Sequence, residues 1–392
     1  MPLIAVVTPL FPLPQQPYRG RAIYQTVRGL QRYADVRVVC PIPVNPQWVR
    51  AWKPKAITRL EPPPSPAGVD ASYFSYPVVP LVSRAWNGEV CRRHLLPHLQ
   101  KLKPDVVLSY WLYPEGYAAV KAAHRLGIPA IAGARGSDLR RIADPITRAW
   151  TARTLREVDY VLTVSRDLRE IAVGMGASPE RSASILNGCD GAIFHPAPRE
   201  EARQSVGIQP ADRVLLYVGR LAEAKGLAEL LAAFETLSQE LPDLRLVLVG
   251  SGPFEPEIRA AAQRMPGRIL LPGDLPPSGV ANWMVAADLF CLASHSEGCP
   301  NVAIEAISCG CPIVATNVGG TPEVVGDACG ILVPSRDIPR LTEALRAALS
   351  RAWDRDAIHA QFRRTWDDVG AATYEVCRQV LGAQVRCGSS VP

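Results

Sequence analysis

The sequence predicts an α/β protein with two doubly wound domains that face a central cleft. Short apolar runs rich in β-branched residues alternate with longer segments of helical period, which is typical of parallel sheets. This series starts twice, once at Leu3 and again at Arg213. With 392 residues, of which 48% are hydrophobic and 20% charged, the chain is long enough for two such cores. Ligands of doubly wound domains bind at the carboxyl ends of the strands, so we expect a site in the cleft.

The elements of the first half are predicted from period and residue type. Ile23, Val27 and Leu30 form an apolar stripe at helical spacing, which predicts a helix between the first two strands. The segment 41–80 is rich in Pro and Trp and has no period, so we predict that it is irregular. Five buried strands are predicted in this half, at 3–8, 36–40, 105–109, 129–134 and 160–164.

The second half begins after a Pro-Ala-Pro sequence at 196–198. The next stretch is polar and charged as far as Gln204, which predicts a linker. We place the first domain at 1–196, the second at 197–370, and a C-terminal helix and tail at 371–392, which we expect to pack back on the first domain. Strands are predicted at 213–218, 244–249, 269–271, 288–292, 313–315 and 330–333, and helices at 338–350 and from there to about 381.

The composition indicates the cellular compartment of the protein. A long uncharged stretch, 306–322, is interrupted by glycines and a proline, so no membrane-spanning helix is expected. The chain has no basic residue before its first apolar run, and prolines interrupt that run from residue 9 onward, so no secretory signal is expected. The ten cysteines form no CxxC pair, which predicts reduced thiols and no metal site. We therefore expect a cytoplasmic protein, with a peripheral position at the inner face of the membrane as one option.

Charge is distributed unequally along the chain. Residues 1–200 contain 26 Lys and Arg against 15 Asp and Glu, whereas residues 201–392 contain 17 against 22. Two interpretations stay open: the first half contacts an anionic partner, such as a membrane surface or a phosphorylated acceptor, or it has an ordinary basic surface. No nucleic-acid partner is expected, because the sequence has no basic run interleaved with aromatic residues and no recognition motif.

The most specific motif is Ser-His-Ser-Glu-Gly-Cys-Pro-Asn-Val-Ala-Ile-Glu-Ala-Ile-Ser-Cys-Gly, at 294–310. It comes after a predicted strand and predicts a loop with Glu297, then a helix that starts near Asn301 and contains Glu305. Helix N-termini bind phosphate, and carboxylates accept hydrogen bonds from sugar hydroxyls. Taken singly, each carboxylate is more often a solvated surface charge. The motif's other candidate ligand-binding residues are Gly298, Cys299, Pro300 and Val302.

A second motif, Gly-Arg-Leu-Ala-Glu-Ala-Lys-Gly at 219–226, comes after the first strand of the second half. Its two cations, Arg220 and Lys225, therefore emerge at the carboxyl edge of the predicted sheet. An arginine provides a directional fork of donors and a lysine a point charge, so the pair is suited to neutralise a diphosphate. Taken singly, such residues are more often surface cations.

Together the two motifs resemble the donor domain of glycosyltransferase family 4, whose members have the GT-B fold of two Rossmann-like domains. The resemblance covers essentially the whole second half in the right order, and 187–196 is similar to the segment that joins the two domains. The residues that carry it are Gly219 with Arg220, Lys225 with Gly226, Gly250 with Ser251, Gly252 and Pro253, Glu297 and Glu305 with seven residues between them, and Gly319 and Gly320 with Glu323.

The resemblance implies a retaining glycosyltransferase of the hexosyltransferase class, working in cell-surface polysaccharide biosynthesis. The donor is a nucleotide sugar with UDP or GDP, the acceptor is a glycan or is lipid-linked, and no metal or other cofactor is required. It implies that Arg220 and Lys225 hold the donor diphosphate, Glu297 the sugar and Glu305 the ribose. Retention by a same-face route lets the leaving phosphate take the proton of the acceptor, so no protein base is needed. The donor-binding glycines that the resemblance implies are Gly20, Gly219, Gly250 and Gly252.

The first half resembles the family less completely. Gly20 is the one residue of Tyr-Arg-Gly-Arg that matches the glycine-rich loop after the first strand. Arg135, Ser137 and Asp138 stand where many members have a histidine followed by glycine and an acid, and we assign them to the acceptor side. Because arginine stays protonated, Arg135 cannot act as a base, although it can bind phosphate or sugar. The segment 111–116 is similar to members that build bacterial surface polysaccharides, while its residues alone predict a strand-to-helix turn with aromatic packing.

The same architecture occurs in proteins with other functions. A dehydrogenase is disfavoured, because the Gly-x-Gly-x-x-Gly fingerprint fails after the first strand and again at 250–255. A metal-dependent transferase of the other common fold needs paired aspartates at a strand end, but the Asp-x-Asp sequence at 354–356 lies in a helical stretch. Two alternatives stay open, a nucleotide-sugar hydrolase or epimerase and a catalytically silent nucleotide-sugar-binding protein.

Overall fold

The chain divides into two compact units in the computed structural model. One unit contains residues 1–187 and 366–392, and the other contains 188–365. Both divisions lie nearer the N-terminus than the predicted boundaries after 196 and 370. The structure describes residues 1–14, 16, 18–51, 57–59, 63–80, 82–142 and 144–388, with side chains as far as Ala383.

The first unit is built on a sheet of seven strands. They are β1 (Leu3–Val7), β2 (Asp35–Val44), β3 (Asp70–Pro77), β4 (Val106–Tyr110), β5 (Ala130–Ala134), β6 (Tyr160–Thr163) and β7 (Ser182–Ser184). All neighbours pair in parallel, in the order β3-β2-β1-β4-β5-β6-β7. The order reverses between β1 and β4, so the loops after these two strands border the position where such a sheet binds ligands.

Helices connect the strands of this sheet. Two of them have side-chain caps at their N-termini: Asp144 accepts a hydrogen bond from the N–H of Thr147 at 2.8 Å, with Pro145 at the first helical position. Ser165 accepts one from the N–H of Leu168. The helices are α1 (Arg21–Leu30), α2 (Asn87–Leu102), α3 (Tyr117–Arg125), α4 (Ser137–Arg140), α5 (Pro145–Glu157) and α6 (Arg166–Gly174).

The five strands predicted in the first half are confirmed, but two further strands are present. The prediction of an irregular segment at 41–80 was wrong, because β2 continues to Val44 and β3 lies in the same segment. As an edge strand, β3 buries only some positions, among them Tyr73 and Tyr76, so it lacks a continuous apolar run. Within this segment, 52–56 and 60–62 lie outside the described residues.

The second unit contains a sheet of six parallel strands. They are β8 (Arg213–Val218), β9 (Leu244–Val249), β10 (Ile269–Gly273), β11 (Leu289–Leu292), β12 (Ile313–Thr316) and β13 (Gly330–Val333), which matches the prediction. Their order is β10-β9-β8-β11-β12-β13 and reverses between β8 and β11. The helices are α7 (Arg199–Ser205), α8 (Leu227–Glu240), α9 (Glu255–Arg264), α10 (Pro277–Ala286), α11 (Asn301–Ser308), α12 (Ile338–Ser350) and α13 (Arg355–Ala360).

The predicted linker up to Gln204 was wrong, because most of it forms α7. Arg203 on this helix is buried, and its guanidinium lies 3.3 Å from the carboxylate of Asp288. Arg199 pairs with the same carboxylate. Asp288 also accepts a hydrogen bond from the N–H of Val214 at 2.7 Å, so it ties α7 to the amino edge of the sheet. The charged residues that suggested a linker therefore include two arginines that form partly buried ion pairs.

The last helix, α14 (Trp366–Gly388), belongs to the first unit and packs against α1. The rings of Tyr33 and Tyr374 stack with centroids 5.7 Å apart. Arg32 forms an ion pair with Asp367 at 2.9 Å.

Three further findings concern the described part of the chain. None of its helices combines the length and apolar character needed to cross a bilayer. The nine cysteines whose side chains the structure describes are unpaired, and of these Cys299 is the one that is not buried. Among these residues, no three His, Cys, Asp or Glu side chains are grouped so that they could hold a metal ion.

Candidate active site

Two loops of the second unit bring Lys225 and Glu297 together at the carboxyl edge of its sheet. The loop between β8 and α8 carries Lys225, and the loop between β11 and α11 carries Glu297. Lys225 Nζ lies 2.7 Å from Glu297 Oε1, with the two side chains 26% and 12% exposed. Because β8 and β11 flank the reversal of strand order, this pair lies where ligands bind in doubly wound sheets. The two motifs of the sequence therefore meet at one place.

The main chains of these loops are also in contact. Gly226 has a φ of +67°, and a Cβ at this position would lie 1.9 Å from the carbonyl oxygen of Ala293, so only glycine fits. The N–H of His295 donates a hydrogen bond to the carbonyl oxygen of Ala224 at 3.0 Å. The β8–α8 loop is thus fixed against the β11–α11 loop on both sides of Lys225.

Arg220 lies in the same loop as Lys225 and is exposed. The hydroxyl of Tyr217 donates a hydrogen bond to the carbonyl oxygen of Arg220 at 2.9 Å. Burial, and then the charge of Glu297, raises the pKa of Tyr217, so the phenol stays protonated and keeps this bond. In the described part of the chain, no side chain pairs with the Arg220 guanidinium, which is accessible to an anionic ligand.

The predicted donor-binding glycines pack the β9–α9 loop against the β8–α8 loop. Gly250 has a φ of +133°, and a Cβ there would lie 2.0 Å from the carbonyl oxygen of Gly219. A Cβ at Gly252 would lie 2.1 Å from the carbonyl oxygen of Leu221. The N–H of Leu221 in turn donates a hydrogen bond to the carbonyl oxygen of Ser251 at 2.9 Å. Close packing between loops accounts for these glycines, and contact with a donor stays a prediction.

Helix α11 begins directly after the loop that carries Glu297. Its first residue is Asn301, and the preceding Pro300, at the N-cap position, is buried and makes no capping side-chain hydrogen bond. The N–H groups of an uncapped first turn favour an anion. Gly298 and Cys299 are half-buried in the loop, and Val302 lies in the first turn.

Glu305 has different surroundings from Glu297. It is half-buried within α11. Burial raises the pKa of Cys189 to about 11, and the negative charge of Glu305 adds to this rise, so the two side chains are neighbours. Glu297 instead contacts Lys225. The two carboxylates therefore have different neighbours, and their roles toward the sugar and the ribose stay predictions.

The site residues predicted in the first half lie in the first unit: Gly20, assigned to the donor, and Arg135, Ser137 and Asp138, assigned to the acceptor side. Gly20 directly precedes α1, and Ser137 is exposed at the start of α4. Arg135 donates a hydrogen bond to Asn187 at 2.8 Å. Asp138 is only 6% exposed, and its carboxylate accepts hydrogen bonds from the N–H groups of Arg135 at 3.1 Å and Gly136 at 2.9 Å. Burial raises the pKa of Asp138, and its carboxyl closes this turn.

The segment 111–116 connects β4 to α3, and Tyr113 within it stacks on Trp150 with centroids 6.1 Å apart. It also buries a carboxyl that the sequence analysis did not single out. Glu115 is 3% exposed and accepts a hydrogen bond from the hydroxyl of Tyr76 at 2.7 Å. Burial raises the pKa of Glu115 to about 7.

A second polar pair near Lys225 was also missed. His295 Nε2 lies 2.8 Å from Glu229 Oε1, with the side chains 17% and 15% exposed. His295 is part of the motif at 294–310, but Glu229 looks in the sequence like any acid in the first turn of a helix. The pairing across 66 residues has no sequence signal.

The Asp-x-Asp sequence at 354–356 has a structural role. The carboxylate of Asp354 accepts hydrogen bonds from the N–H groups of Asp356 at 3.1 Å and Ala357 at 3.0 Å. It therefore caps α13, as expected for a helical stretch.

The sequence is similar to those of known glycosyltransferases. A family model described as Glycosyl transferases group 1 matches residues 198–364, and one described as Glycosyltransferase Family 4 matches residues 20–192. The chain is 32% identical over 313 residues to a D-inositol 3-phosphate glycosyltransferase of Saccharomonospora viridis, covering 71% of each chain. It is 28% identical over 361 residues to TuaC of Bacillus subtilis, which is named for teichuronic acid biosynthesis, covering 86% of this chain and 87% of TuaC.

Solved structures show the same architecture. Sucrose-phosphate synthase from Thermosynechococcus elongatus superposes with a TM-score of 0.77 at 19% identity, covering 98% of this chain and 100% of that one. Anabaena HepE in complex with UDP gives a TM-score of 0.71 at 16% identity, covering 100% of both chains. Fold and matches together define the class: the protein is a glycosyltransferase with the GT-B fold. More narrowly, the chain belongs to glycosyltransferase family 4.

Proposed function

We propose that the protein is a retaining hexosyltransferase that uses a UDP- or GDP-sugar. The observation that carries the proposal is the Lys225–Glu297 pair, which lies at the reversal of strand order beside the accessible Arg220. The uncapped N-terminus of α11 comes directly after the same loop. A site with two cations, a helix N-terminus and a carboxylate suits a ligand that joins a diphosphate to a sugar.

The proposed reaction breaks the bond between the anomeric carbon and the diphosphate oxygen and forms a bond to the acceptor oxygen on the same face. Negative charge develops on the leaving diphosphate, where Arg220 and Lys225 stabilise it, at about 3 kcal/mol per well-placed donor. The acceptor proton passes to a diphosphate oxygen, so no protein base acts. In this scheme Glu297 holds the sugar and Glu305 the ribose. Because the cations are side chains, the reaction does not depend on an added metal.

Relatives and fold neighbours support the choice of substrates. HepE, a neighbour in fold, has been solved with UDP and with UDP-glucose. TuaC is named for teichuronic acid biosynthesis, which supports an acceptor in cell-surface polysaccharide biosynthesis. Another group of relatives is named for D-inositol 3-phosphate, so a phosphorylated acceptor belongs in the assays.

The test is to incubate the protein with UDP- and GDP-hexoses and a panel of glycans, inositol phosphate and polyprenyl-phosphate-linked sugars, with and without EDTA. We expect transfer to one class of acceptor, with the donor's anomeric configuration kept in the product by NMR and with EDTA causing no loss. Free sugar or an epimerised donor without transfer would favour the hydrolase or epimerase. Binding without turnover would favour a silent binding protein.

For the acceptor we propose a lipid-linked glycan presented at an anionic membrane surface. The excess of cations in residues 1–200 supports this. Among the described residues, exposed large apolar side chains are concentrated in the first unit, with Trp48 at 59%, Val82 at 70% and Trp86 at 63%. These three come after β2 and β3 and are therefore at the carboxyl edge of the sheet. Tryptophans are enriched where proteins meet the membrane–water interface.

Sedimentation with vesicles tests this surface. We expect the protein to pellet with vesicles containing phosphatidylglycerol at low salt, less so at physiological salt, and not with neutral vesicles. Replacing Trp48 and Trp86 together by Ser should weaken pelleting severalfold, whereas Ile338→Ser, at an exposed apolar residue of the second unit, should not. If the protein stays in the supernatant in every condition, the membrane-surface proposal fails and a soluble acceptor is favoured.

A further inference from the structure

We infer that Glu229 and His295 are positioning residues, which hold the side chains of Lys225 and Glu297 in their places relative to each other. This inference rests on the proposed function of the Lys225–Glu297 pair. It concerns the loop at 293–298, hereafter the acidic loop, which carries Glu297. Neither Glu229 nor His295 needs to contact the substrate for this role.

The contacts of His295 join the acidic loop to both sides of Lys225. Its ring Nε2 lies 2.8 Å from Oε1 of Glu229, a residue four positions after Lys225. Its main-chain N–H donates a hydrogen bond to the carbonyl oxygen of Ala224, the residue directly before Lys225. His295 itself is two residues before Glu297. The chain around each member of the pair is thus tied to the chain around the other.

Burial makes the side-chain contact strong enough to matter. Both side chains are less than one-fifth exposed, at 17% for His295 and 15% for Glu229. A carboxylate this desolvated needs its hydrogen-bond donor, because an unpaired buried charge is costly. Loss of the imidazole therefore forces Glu229 either to turn toward water or to draw another donor, and Lys225 is the nearest cation along the chain. Both outcomes disturb the Lys225–Glu297 pair.

Beyond the Lys225–Glu297 pair, the contact at Gly226 and the main-chain bond to Ala224, the acidic loop has few attachments among the described residues. The hydroxyl of Thr316 donates to the carbonyl oxygen of Ser294 at 2.5 Å, which fixes the start of the loop to β12. The hydroxyl of Ser294 itself is fully buried and makes no hydrogen bond among the described residues. Among the described residues, the contact from His295 to Glu229 is the side-chain bond that joins this loop to α8.

Kinetics of matched variants test the inference. A displacement of about 1 Å costs up to about 100-fold in turnover. His295→Ala and Glu229→Ala should each lower kcat at least tenfold, with a donor KM within about threefold of wild type. His295→Gln keeps an amide donor near the position of Nε2 and should recover most of the activity. Glu257→Ala, which removes an exposed acid from the first turn of α9, is the control and should leave kcat unchanged.

A double variant separates positioning from a general loss of stability. In a Lys225→Ala background the pair that His295 positions is already broken, so adding His295→Ala should cost less than twofold more. A loss of tenfold or more in that background would overturn the inference, as would wild-type kcat in His295→Ala. Failure of the proposed function looks different, because wild-type protein would then transfer no sugar from any donor.

A second measurement does not depend on activity. Amide hydrogen exchange of the acidic loop should accelerate at least tenfold in His295→Ala and Glu229→Ala, remain near wild type in His295→Gln, and be unchanged in Glu257→Ala. Exchange that is the same in wild type and His295→Ala would overturn the inference whatever reaction the protein catalyses.

Discussion

Lys225 Nζ and Glu297 Oε1 lie 2.7 Å apart, although 72 residues separate them in the chain. The contact joins the loops after β8 and β11, the two strands between which the order of the second sheet reverses. It keeps a cation and a carboxylate at the position where a doubly wound sheet binds its ligand. A donor diphosphate that draws Lys225 toward itself would release Glu297 to accept a hydrogen bond from the sugar.

The first prediction concerns the two cations. Arg220→Ala and Lys225→Ala should each lower turnover by about 100-fold or more, because each removes a few kcal/mol of stabilisation of the leaving diphosphate. Arg259→Ala, at an exposed cation on α9, is the control. Steady-state kinetics with the donor found in the panel measure the effect, and wild-type turnover in Lys225→Ala would remove that residue from the mechanism.

The second prediction separates the two carboxylates. Glu305→Ala should weaken binding of free nucleoside diphosphate at least tenfold, because it removes the proposed ribose contact. Glu297→Ala should leave this affinity within about threefold and lower turnover and sugar selectivity instead. Titration calorimetry with UDP and GDP measures the affinities. Equal losses of nucleotide affinity in both variants would contradict the division of roles.

A third prediction rests on the contact between the loops at Gly226. Gly226→Ala places a Cβ where the carbonyl oxygen of Ala293 lies, so the loops must separate, and we expect turnover to fall about 100-fold. Gly207→Ala is the matched control, since Gly207 has a φ of +72° but open space around it. The control should cost about 1 kcal/mol in stability and leave turnover unchanged. Similar turnover in both variants would show that loop contact does not matter.

The fold was largely predictable because buried parallel strands are continuous apolar runs. Strand β8 and its neighbours in the second sheet have this pattern. β3 and β7 lack this pattern. In β3, an edge strand, buried and exposed residues alternate, and β7 is a Ser-Ala-Ser sequence of three residues. Helix α7 was mistaken for a linker because its arginines find their partner, Asp288, only in the folded chain.

The residues of the candidate site could be predicted where they belong to a short motif of neighbouring positions in the sequence. Arg220, Lys225, Glu297 and Glu305 belong to two short motifs, and strand ends bring these together. The partnership of His295 with Glu229 depends on how α8 faces the β11–α11 loop, and no spacing along the chain records that. Glu115 was missed for a similar reason, because its burial under Tyr76 is set by the packing of β3 against the segment after β4.

The fourth prediction concerns pH. Burial raises the pKa of Glu115 from its ordinary 4.5 to about 7, so the folded protein binds a proton that the unfolded chain releases. Stability from this group is present in full below pH 4.5 and is lost as the pH rises to about 7, by about 3 kcal/mol in total. Glu115→Gln should therefore melt several degrees higher than wild type at pH 8 and about the same at pH 5, by thermal unfolding. Glu170→Gln, at an exposed acid on α6, should show no such difference.

The most direct test of the central claim is thermal unfolding of the wild-type protein with UDP, GDP and ADP and with their hexose conjugates. A ligand at 100 times its dissociation constant adds about 2.7 kcal/mol, which raises the melting temperature by several degrees. We predict such a rise with UDP or GDP and with the matching sugar nucleotide, and its loss in Glu305→Ala. If none of these ligands raises the melting temperature at millimolar concentration, the second unit does not bind a nucleotide-sugar donor and the proposed function is wrong.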